Sequence, residues 1–308
     1  MSALINPSVS VVMSVHNGQD YLDAAVQSVL SQTYRDFEFL IIDDGSSDRS
    51  PAILREFSSR DNRVRVISQA NTGLTRALNR GIESARGRFV ARMDADDLCE
   101  PSRFAEQTQF LDDNPSCVAV GCQLSLIDPD GDFLAYRNAP QTHDDIVSRL
   151  LNGIGAIPHP SAMIRRETLC AVGGYREEFQ FAQDLDLWLR LSEQGSLANL
   201  DKPLLRYRLH CSSLTTQKRA VQLECARRAV AEAFVRRGIK DFVPPSMAHS
   251  TPSASQVLRS WTRMALRTGN RTAAWKHCRH AVAAAPCSIS NLGMLGDWLR
   301  YGFLTNRS

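Results

Sequence analysis

The chain of 308 residues is long enough for one large domain, or for one domain with a smaller appendage. Its 43% hydrophobic and 22% charged residues are the proportions of an ordinary folded protein, which excludes a disordered or fibrous chain. None of its eight cysteines form a Cys-x-x-Cys pair, so we expect free thiols in a reducing compartment and neither a zinc ribbon nor a disulfide scaffold.

The net charge of +3 conceals an asymmetry along the chain. Residues 1–215 carry 21 Lys/Arg and 29 Asp/Glu, whereas residues 216–308 carry 15 and 4. Such a split suggests two parts that face different partners, and we place the expected domain boundary there. The sequence shows neither a signal peptide nor an apolar stretch of roughly 18 residues. We therefore expect a cytoplasmic protein, at most peripheral at the inner face of a membrane.

Short apolar runs alternate with amphipathic segments at the start of the chain. In order, the predicted elements are a strand at Val9–Val15, a helix capped by Asp20, a strand at Phe37–Ile42, a helix with Ser50 at its cap and Pro51 at its first position, a strand at Val64–Ile67, a helix at Leu74–Ala85 and a strand at Phe89–Met93. This alternation predicts a parallel sheet with helices on both faces. Ligands of such sheets bind at the carboxyl ends of the strands.

Polar residues follow three of these strands. The first strand leads into Ser14-Val15-His16-Asn17, the second into Asp43–Asp48 and the fourth into Asp94-Ala95-Asp96-Asp97. We expect the three groups to meet at one edge of the sheet. Carboxylates this close together repel one another unless a cation lies between them, and hard oxygen ligands suit Mg²⁺ or Mn²⁺, which in turn suits a diphosphate. The sequence therefore predicts a metal–nucleotide site.

Simpler interpretations of the acidic cluster stay open at this point. Asp97 would serve as a helix cap before Leu98 and Pro101, and acidic groups after strands are often solvated turns. Other nucleotide sites are disfavoured, because the sequence contains neither a Gly-x-Gly-x-x-Gly turn after the first strand nor a Gly-Lys-Ser/Thr loop.

The middle and the end of the chain are less regular. The predicted elements are a turn at Asp128–Gly131 between antiparallel strands, a capped helix at Thr142–Leu151, an amphipathic helix at Asp184–Gln194 and a strand at Leu204–Leu209. Residues 216–308 are Ala- and Arg-rich and predicted to be helical, with a linker at Pro244–Ser255. The segment Ala265–Pro286 resembles one tetratricopeptide helical hairpin.

A series of motifs extends over residues 9–210. They are Val9–Gly18, Ser28–Thr33, Phe39–Asp48, Asn71–Gly73, Ala77–Ile82, Ala85–Gly87, Asp94–Asp97, His159–Ser161, Gly173–Tyr175, Asp184–Leu191 and Tyr207–His210. In this order and spacing they resemble the catalytic domain of glycosyltransferase family 2. The resemblance implies a GT-A fold, a Rossmann-like α/β fold with a mixed, mostly parallel sheet flanked by helices. It does not cover residues 216–308, which we expect to form a helical accessory region.

The resemblance also implies a nucleotide-sugar site. Its residues would be Ser14, Val15, His16, Asp44, Asn71 and Asp94. Asp44 would hydrogen-bond the base, and Asp94 would face the ribose. Asp96 would ligate a divalent cation, Mn²⁺ or Mg²⁺, at the donor's diphosphate. His210 resembles a histidine that some GT-A enzymes add as a metal ligand. The structural alternative for Asp44 is a turn residue before Gly45.

Asp184 would be the catalytic base by the same resemblance. It opens a predicted helix, where the helix dipole favours its charged form. The family usually has Glu-Asp here, and this chain has Gln183-Asp184. Asp186 is the other candidate for the base, but its spacing points it to another side of the helix. A plain N-cap role is the structural alternative for Asp184.

The resemblance thus implies an inverting, metal-dependent glycosyltransferase. It would move a sugar from a nucleoside diphosphate sugar, in the first place a UDP-sugar, to a glycan or lipid-linked glycan acceptor in cell-surface polysaccharide or glycoconjugate synthesis. One alternative is a nucleotidyltransferase that forms nucleotide-sugars, which would need a Gly-rich basic loop where His16–Gln19 stands. Another is a non-catalytic module that binds nucleotide or carbohydrate.

The basic residues 216–308 have two interpretations, a solvated helical cap or a peripheral contact with an anionic membrane or acceptor. The arginines that would make this contact are Arg227, Arg228, Arg236, Arg237, Arg259, Arg263 and Arg267. We do not expect nucleic-acid binding, because no recognised module or aromatic–basic interleaving accompanies the charge.

Overall fold

The computed structural model describes residues 6–210, 219–240, 253–286, 288, 290 and 291. The chain forms two compact units. Unit 1 comprises Met1–Leu124, Asn138–Arg206 and Ala220–Met247, and unit 2 comprises Ser125–Arg137, Tyr207–Arg219 and Ala248–Ser308. The two units are defined by the contacts within each of them. The domain boundary between residues 215 and 216, with a catalytic domain before it and a helical accessory region after it, stays a prediction.

The predicted alternation of strands and helices at the start of unit 1 is confirmed. The elements are β1 Val9–Val15, α1 Leu22–Leu30, β2 Phe37–Asp44, α2 Ser50–Arg60, β3 Val64–Gln69, α3 Leu74–Ser84 and β4 Phe89–Met93. All eight residues of β2 are buried, as expected for a parallel strand that is covered on both faces. β2 and β3 each extend two residues beyond the prediction, because their polar ends pair with each other at Asp43↔Ser68 and Asp44↔Gln69.

The predicted helix starts were wrong in detail. Asp20 does not cap α1: Tyr21 holds the N-cap position without a side-chain bond, and its N–H donates to the carbonyl of Gly18 at 3.1 Å. α2 begins at Ser50 itself, and the carboxylate of Asp48 accepts the Ser50 N–H at 2.9 Å. In both places a neighbouring loop satisfies the first donors of the helix, so local residue preference misplaces the cap.

The remaining elements follow in chain order. They are β5 Leu98–Cys99, α4 Arg103–Asp113, β6 Cys117–Ile127, β7 Phe133–Arg137, α5 His143–Leu151, a 3₁₀ turn at His159–Ser161, β8 Met163–Arg165, α6 Arg166–Ala171, α7 Gln183–Leu191, β9 Ser196–Arg208, α8 Arg219–Arg236, α9 Ala254–Arg267 and α10 Arg271–Ala284. The predicted cap of α5 is confirmed, since the Thr142 side chain accepts the N–H of Asp145.

The sheet is mixed, with strand order β3-β2-β1-β4-β8-β6-β9-β5, and β7 pairs with β6. The pairs among β1, β2, β3 and β4 are parallel, and β8 pairs antiparallel with both β4 and β6. β9 begins eight positions before the predicted Leu204. Its exposed central residues Asp201, Lys202 and Pro203 break the alternating pattern on which the prediction relied.

One core cluster of unit 1 joins buried residues of the sheet to several helices, among them α7 and α8. Every residue from Leu185 to Leu191 is buried, so α7 is not the predicted amphipathic helix. It is also shorter than predicted, because a turn occupies residues 192–194 before Gly195. A side chain at Gly195 would lie 2.7 Å from the carbonyl oxygen of Ser116. α8 adds Ala226, Ala229, Val230 and Ala233 to the same core.

Among the helices in the described ranges, none combines the length and the apolar character that a bilayer-spanning helix needs. The cysteines in these ranges are free thiols, as predicted: Cys99, Cys117, Cys122, Cys170, Cys225 and Cys278. Cys211 and Cys287 lie outside the described residues.

Unit 2 contains the predicted turn after β6 and a helical hairpin. α9 begins with a capping box in which the side chains of Ser253 and Gln256 satisfy each other's backbone N–H groups. α10 is capped by Asn270, whose side-chain NH₂ also donates to the carbonyl of Phe133 in β7 at 2.8 Å. Residues 244–252 of the predicted linker lie outside the described residues.

A buried carboxylate, Asp128, ties the β6–β7 turn to α10. Its Oδ1 accepts the backbone N–H groups of Asp130 and Asp132 at 3.0 and 2.9 Å. Its Oδ2 lies 2.7 Å from His277 Nε2 and 2.5 Å from Lys276 Nζ. Burial by itself raises the pKa of Asp128, but the bonds from His277 and Lys276 hold it far below its ordinary value.

We predict that Asp128→Ala destabilises unit 2, because breaking a buried ion pair costs about 3–5 kcal/mol. Amide hydrogen exchange in α10 at neutral pH measures the loss. Since the folded-state pKa of Asp128 is depressed, its contribution is present above the ordinary pKa of 3.8 and disappears as the pH falls through the folded value. Asp130→Ala is the control: its side chain is 73% exposed and also contacts Lys276. Equal protection in the two variants would contradict the assignment.

Candidate active site

The parallel register brings the three predicted polar groups to one edge of the sheet. Val15 of β1 pairs with Asp43 of β2, and Met13 of β1 pairs with Met93 of β4. The segments that follow these three strands therefore leave the sheet on the same side. The predicted convergence is present in the structure.

Asp44 organises the loop after β3. The carboxylate is 2% exposed. Its Oδ1 accepts bonds from Thr72 N at 2.8 Å and Gln69 Nε2 at 2.7 Å, and its Oδ2 accepts the Gly73 N–H at 2.8 Å. Burial raises the pKa of Asp44, but these bonds outweigh it and hold the pKa below its ordinary value. Asp44 is thus an ionised anchor of the 69–73 loop, and Oδ2 keeps acceptor capacity for a further donor.

His16 and Asn71 meet beside Asp44. Asn71 Nδ2 lies 3.1 Å from His16 Nε2, and His16 Nδ1 lies 3.0 Å from the Asp44 carbonyl oxygen. Both side chains are exposed. The approach depends on Gly45, which has φ +75° and whose added Cβ would lie 2.7 Å from Asn71 N. Two surface groups are therefore held together at the predicted base pocket.

The other two residues predicted for this pocket differ in exposure. Ser14 is half-buried, whereas Val15 is 1% exposed. The Val15 side chain therefore supports the segment from within and leaves only its backbone for a ligand.

Asp94, Asp96 and Asp97 form a compact group after β4. Carboxylate oxygens from all three lie within 4.8 Å of one another. Asp97 leads into β5, and the next helix begins at Arg103 behind an N-cap of Ser102, so the helix-cap interpretation of Asp97 is wrong. Three hard oxygen donors at this spacing fit a divalent cation such as Mn²⁺ or Mg²⁺.

Charge crowding is evident at Asp94. Burial, followed by the charges of Asp96 and Asp184, raises the pKa of Asp94. The guanidinium of Arg92 opposes this rise, and its Nη2 pairs directly with Asp94 Oδ1. Negative charge at this edge is therefore only partly compensated by the protein.

Asp184 is the second residue of α7 and half-buried. The N-cap position belongs to Ala182, so the capping alternative for Asp184 is wrong. Ala182 has φ +61°, a left-handed conformation that costs a residue with a side chain of order 1–3 kcal/mol. Burial raises the pKa of Asp184, and the backbone N–H of Leu185 and the charge of Arg92 oppose it without cancelling it. The expectation that the helix terminus favours the charged form is thus outweighed by desolvation.

Asp186 has a structural role. Its side chain is completely buried and forms ion pairs with Arg176 and, at 2.8 Å, with Arg190. Arg190 in turn donates to the carbonyl oxygens of Val172 and Gly174 at 2.7 and 2.8 Å. Asp186 therefore fixes the segment before Tyr175 and is excluded as a rival base.

A wall formed by the buried Tyr175 and the half-buried His159 and Asn79 carried no predicted role. His159 Nε2 lies 2.6 Å from Tyr175 Oη, and Asn79 bonds both the N–H and the carbonyl of Tyr175 at 2.9 and 2.7 Å. Burial, aided by Arg92, lowers the pKa of His159 well below its ordinary value, and burial raises the pKa of Tyr175. Both rings are therefore uncharged at neutral pH. The sequence feature that could have pointed to this wall was Arg92, a charged residue within an apolar strand.

His210 lies just beyond β9 and is half-buried. It belongs to unit 2. The compact group of ligand-type side chains found in the described part of the chain consists of the three aspartates of unit 1. The role of His210 as a metal ligand stays a prediction.

Several arginines proposed for membrane contact are neutralised within unit 1. Arg228 pairs with Glu232 at 2.8 Å, and Arg236 and Arg237 both pair with Glu193, at 3.0 and 3.6 Å. In these ion pairs the positive charges of the three arginines are paired with glutamates of unit 1. They do not favour a membrane contact through α8.

The comparisons with known proteins agree with this geometry. The model of the family described as glycosyl transferase family 2 matches residues 10–172. The O-antigen biosynthesis glycosyltransferase WbnJ of Escherichia coli is 34% identical over 248 residues, which cover 79% of this chain and 95% of WbnJ.

Solved structures show the same fold. TarS 1–349 of S. aureus in complex with UDP has a TM-score of 0.58 at 17% identity, covering 84% of this chain and 71% of TarS 1–349. The mannosyltransferase PcManGT of Pyrobaculum calidifontis, in complex with GDP-Man and Mn²⁺, has a TM-score of 0.55 at 16% identity, covering 98% and 82% of the two chains. The expected GT-A fold is thus confirmed, and the chain belongs to glycosyltransferase family 2.

Proposed function

We propose that this glycosyltransferase is an inverting, metal-dependent enzyme that transfers a sugar from a nucleoside diphosphate sugar, in the first place a UDP-sugar, to a hydroxyl of a glycan or lipid-linked glycan. The observation that carries the proposal is the acidic group Asp94, Asp96 and Asp97, held at the same sheet edge as Asp44. The charge of Asp184 contributes to the raised pKa of Asp94. This influence supports the proposal that Asp184 would supply the base beside the groups for the diphosphate.

The donor class is supported by the relatives. TarS has been solved with UDP and with UDP-GlcNAc, and PcManGT with GDP-Man and Mn²⁺. The name of WbnJ assigns that relative to O-antigen biosynthesis, which supports a role in cell-surface polysaccharide synthesis. We further propose that the enzyme acts in the cytoplasm. A peripheral contact of residues 216–308 with anionic membrane stays a prediction.

The nucleotide would lie across the first part of the sheet edge. Asp44 Oδ2 would accept a bond from the base, while the exposed side chains of His16 and Asn71 and the backbone near Ser14 would line the pocket. Asp94 would face the ribose. Asp44 is already ionised and fixed by backbone donors, so it needs little reorganisation to bind.

Asp96 would hold the divalent cation, with its acidic neighbours Asp94 and Asp97 as further ligands. A cation bound there supplies Lewis-acid neutralisation of the charge that develops on the leaving diphosphate. Asp184 would take the proton from the acceptor hydroxyl, a contribution typically worth about 10²–10⁴-fold. Attack from the side opposite the leaving group inverts the anomeric carbon.

The two alternatives from the sequence are less well supported. A nucleotidyltransferase would need a basic glycine-rich loop where His16–Gln19 stands, and family membership favours glycosyl transfer. A non-catalytic module would have no need of Asp184 with a raised pKa beside a strained residue.

We predict that UDP with Mn²⁺ raises the melting temperature of the protein and that UDP with EDTA raises it much less, because ligands that bind only the folded state stabilise it. Asp96→Asn should abolish the part that depends on manganese. Asp113→Asn, which alters an exposed carboxylate in α4, is the matched control and should behave as wild type. Equal stabilisation with and without the metal would remove the cation from the proposal.

We predict that Asp184→Asn lowers turnover by about 10²–10⁴-fold while UDP–Mn²⁺ binding is kept. Its melting temperature at neutral pH should equal or exceed that of wild type, because a group whose folded-state pKa is raised destabilises the fold once it is ionised. Wild-type turnover should decline as the pH falls through a value above the ordinary aspartate pKa of 3.8.

Asp186→Asn is the contrasting variant. It should lower the melting temperature, because two arginines lose their buried partner. Wild-type turnover in Asp184→Asn would remove that residue as the base.

A further inference from the structure

Arg92 is a charged side chain in a strand that is otherwise apolar and buried at every position. It is 4% exposed. Placing a guanidinium there costs several kcal/mol unless a counter-charge compensates it. The residue therefore has a partner or a function that offsets this cost.

The guanidinium of Arg92 has a polar contact at only one of its three nitrogen atoms among the described residues. Its Nη2 pairs with Asp94 Oδ1, whereas Nε and Nη1 are buried and have no hydrogen-bond partner among the described residues. Burial by itself lowers the pKa of Arg92, but Asp94 holds it above its ordinary value. The direct ion pair of the guanidinium is therefore with Asp94, and the charge of Asp97 adds to it.

Arg103 shows what a structural buried arginine looks like in the same fold. It is fully buried, and its nitrogens donate to the Arg92 carbonyl at 2.9 Å, to Gln107 Oε1 at 3.1 Å and to Cys99 Sγ at 3.2 Å. Every nitrogen of that guanidinium finds a neutral partner in the framework. Arg92 instead forms its ion pair with Asp94, an acid of the candidate site.

The charge of Arg92 also influences His159 in the wall and the candidate base Asp184. Side chains alternate along a strand, so Arg92 shares a face with Val90, which packs in the core that contains Tyr175 and Trp188. The charge of Arg92 contributes to the lowered pKa of His159 and opposes the raised pKa of Asp184. The charge of Arg92 therefore influences Asp184 as well as Asp94.

We propose that Arg92 is a positioning residue for sugar transfer: its guanidinium orients Asp94, so that this carboxylate is held in the geometry that the donor requires. The inference rests on the proposed function above. Without Arg92, Asp94 would stand beside Asp96 and Asp97 and would lose the ion pair that fixes it. Donor binding would then weaken through Asp94, and turnover at saturating donor would fall because the bound donor is misplaced.

The test is calorimetric titration with UDP and MnCl₂, together with release of UDP from a panel of UDP-sugars. Arg92→Met should weaken UDP–Mn²⁺ binding by about 10–100-fold, the usual effect of losing a partner that orients a site carboxylate, and should also lower kcat. Arg92→Lys restores the charge and should recover most of the binding. Arg92→Gln, which keeps a donor without charge, gives the same comparison if the Met variant does not fold.

A double-mutant cycle separates positioning from general destabilisation. If Arg92 acts through Asp94, then Arg92→Met combined with Asp94→Asn should bind UDP–Mn²⁺ no more weakly than Asp94→Asn alone. Arg165→Met is the matched control: Arg165 lies on the adjacent β8 and donates to the carbonyls of Cys117 and Leu111. It should lower the melting temperature and leave binding and kcat unchanged.

Two results would overturn the inference in distinguishable ways. If wild type binds UDP–Mn²⁺ and the Arg92 variants bind equally well, or if the effects of Arg92→Met and Asp94→Asn multiply, Arg92 has no positioning role while the proposed function stands. If wild type itself does not bind UDP–Mn²⁺, the proposed function falls and the inference falls with it.

Discussion

Crowding of negative charge at one edge of a parallel sheet is the constraint on which the rest of the site depends. The register of β1, β2 and β4 fixes where the chain leaves the sheet, and acids follow two of these strands. Each acid is compensated differently. Backbone N–H groups stabilise the ionised Asp44, two arginines pair with Asp186, and one arginine pairs with Asp94. Burial and neighbouring charges still raise the pKa of both Asp94 and Asp184, so the protein favours a neutral form at these two carboxylates.

Hydrogen bonds to the backbone around Tyr175 fix the uncharged side chains that lie beside the acids of the site. Arg190 and Asn79 clamp the backbone on either side of Tyr175 by bonds to carbonyl and N–H groups. Tyr175 then meets His159 as an uncharged pair. Tyr175 is buried and His159 is half-buried, so this uncharged pair lowers the local dielectric, and the charge of Arg92 acts more strongly on the acids near it.

Local sequence patterns predicted the parts of the fold that depend on local structure. β1 and β4 have the predicted bounds, and the convergence of polar strand ends followed from the connection rule for parallel sheets. The errors arose where distant contacts decide. β9 was predicted too short because exposed residues interrupt it, and α7 was predicted to be amphipathic because Asp184, Asp186 and Arg190 place charges among its apolar residues. Two of these three side chains are buried as an ion pair, which no spacing rule reveals.

The proposed function depends on a divalent cation that binds between a diphosphate and the aspartates Asp94, Asp96 and Asp97. An anomalous difference map at the manganese edge, from crystals soaked with UDP and MnCl₂, tests it most directly. The account predicts a manganese peak against Asp96 with the diphosphate beside it and the base near Asp44. Ordered UDP with no manganese peak, or UDP bound away from this edge of the sheet, would contradict it.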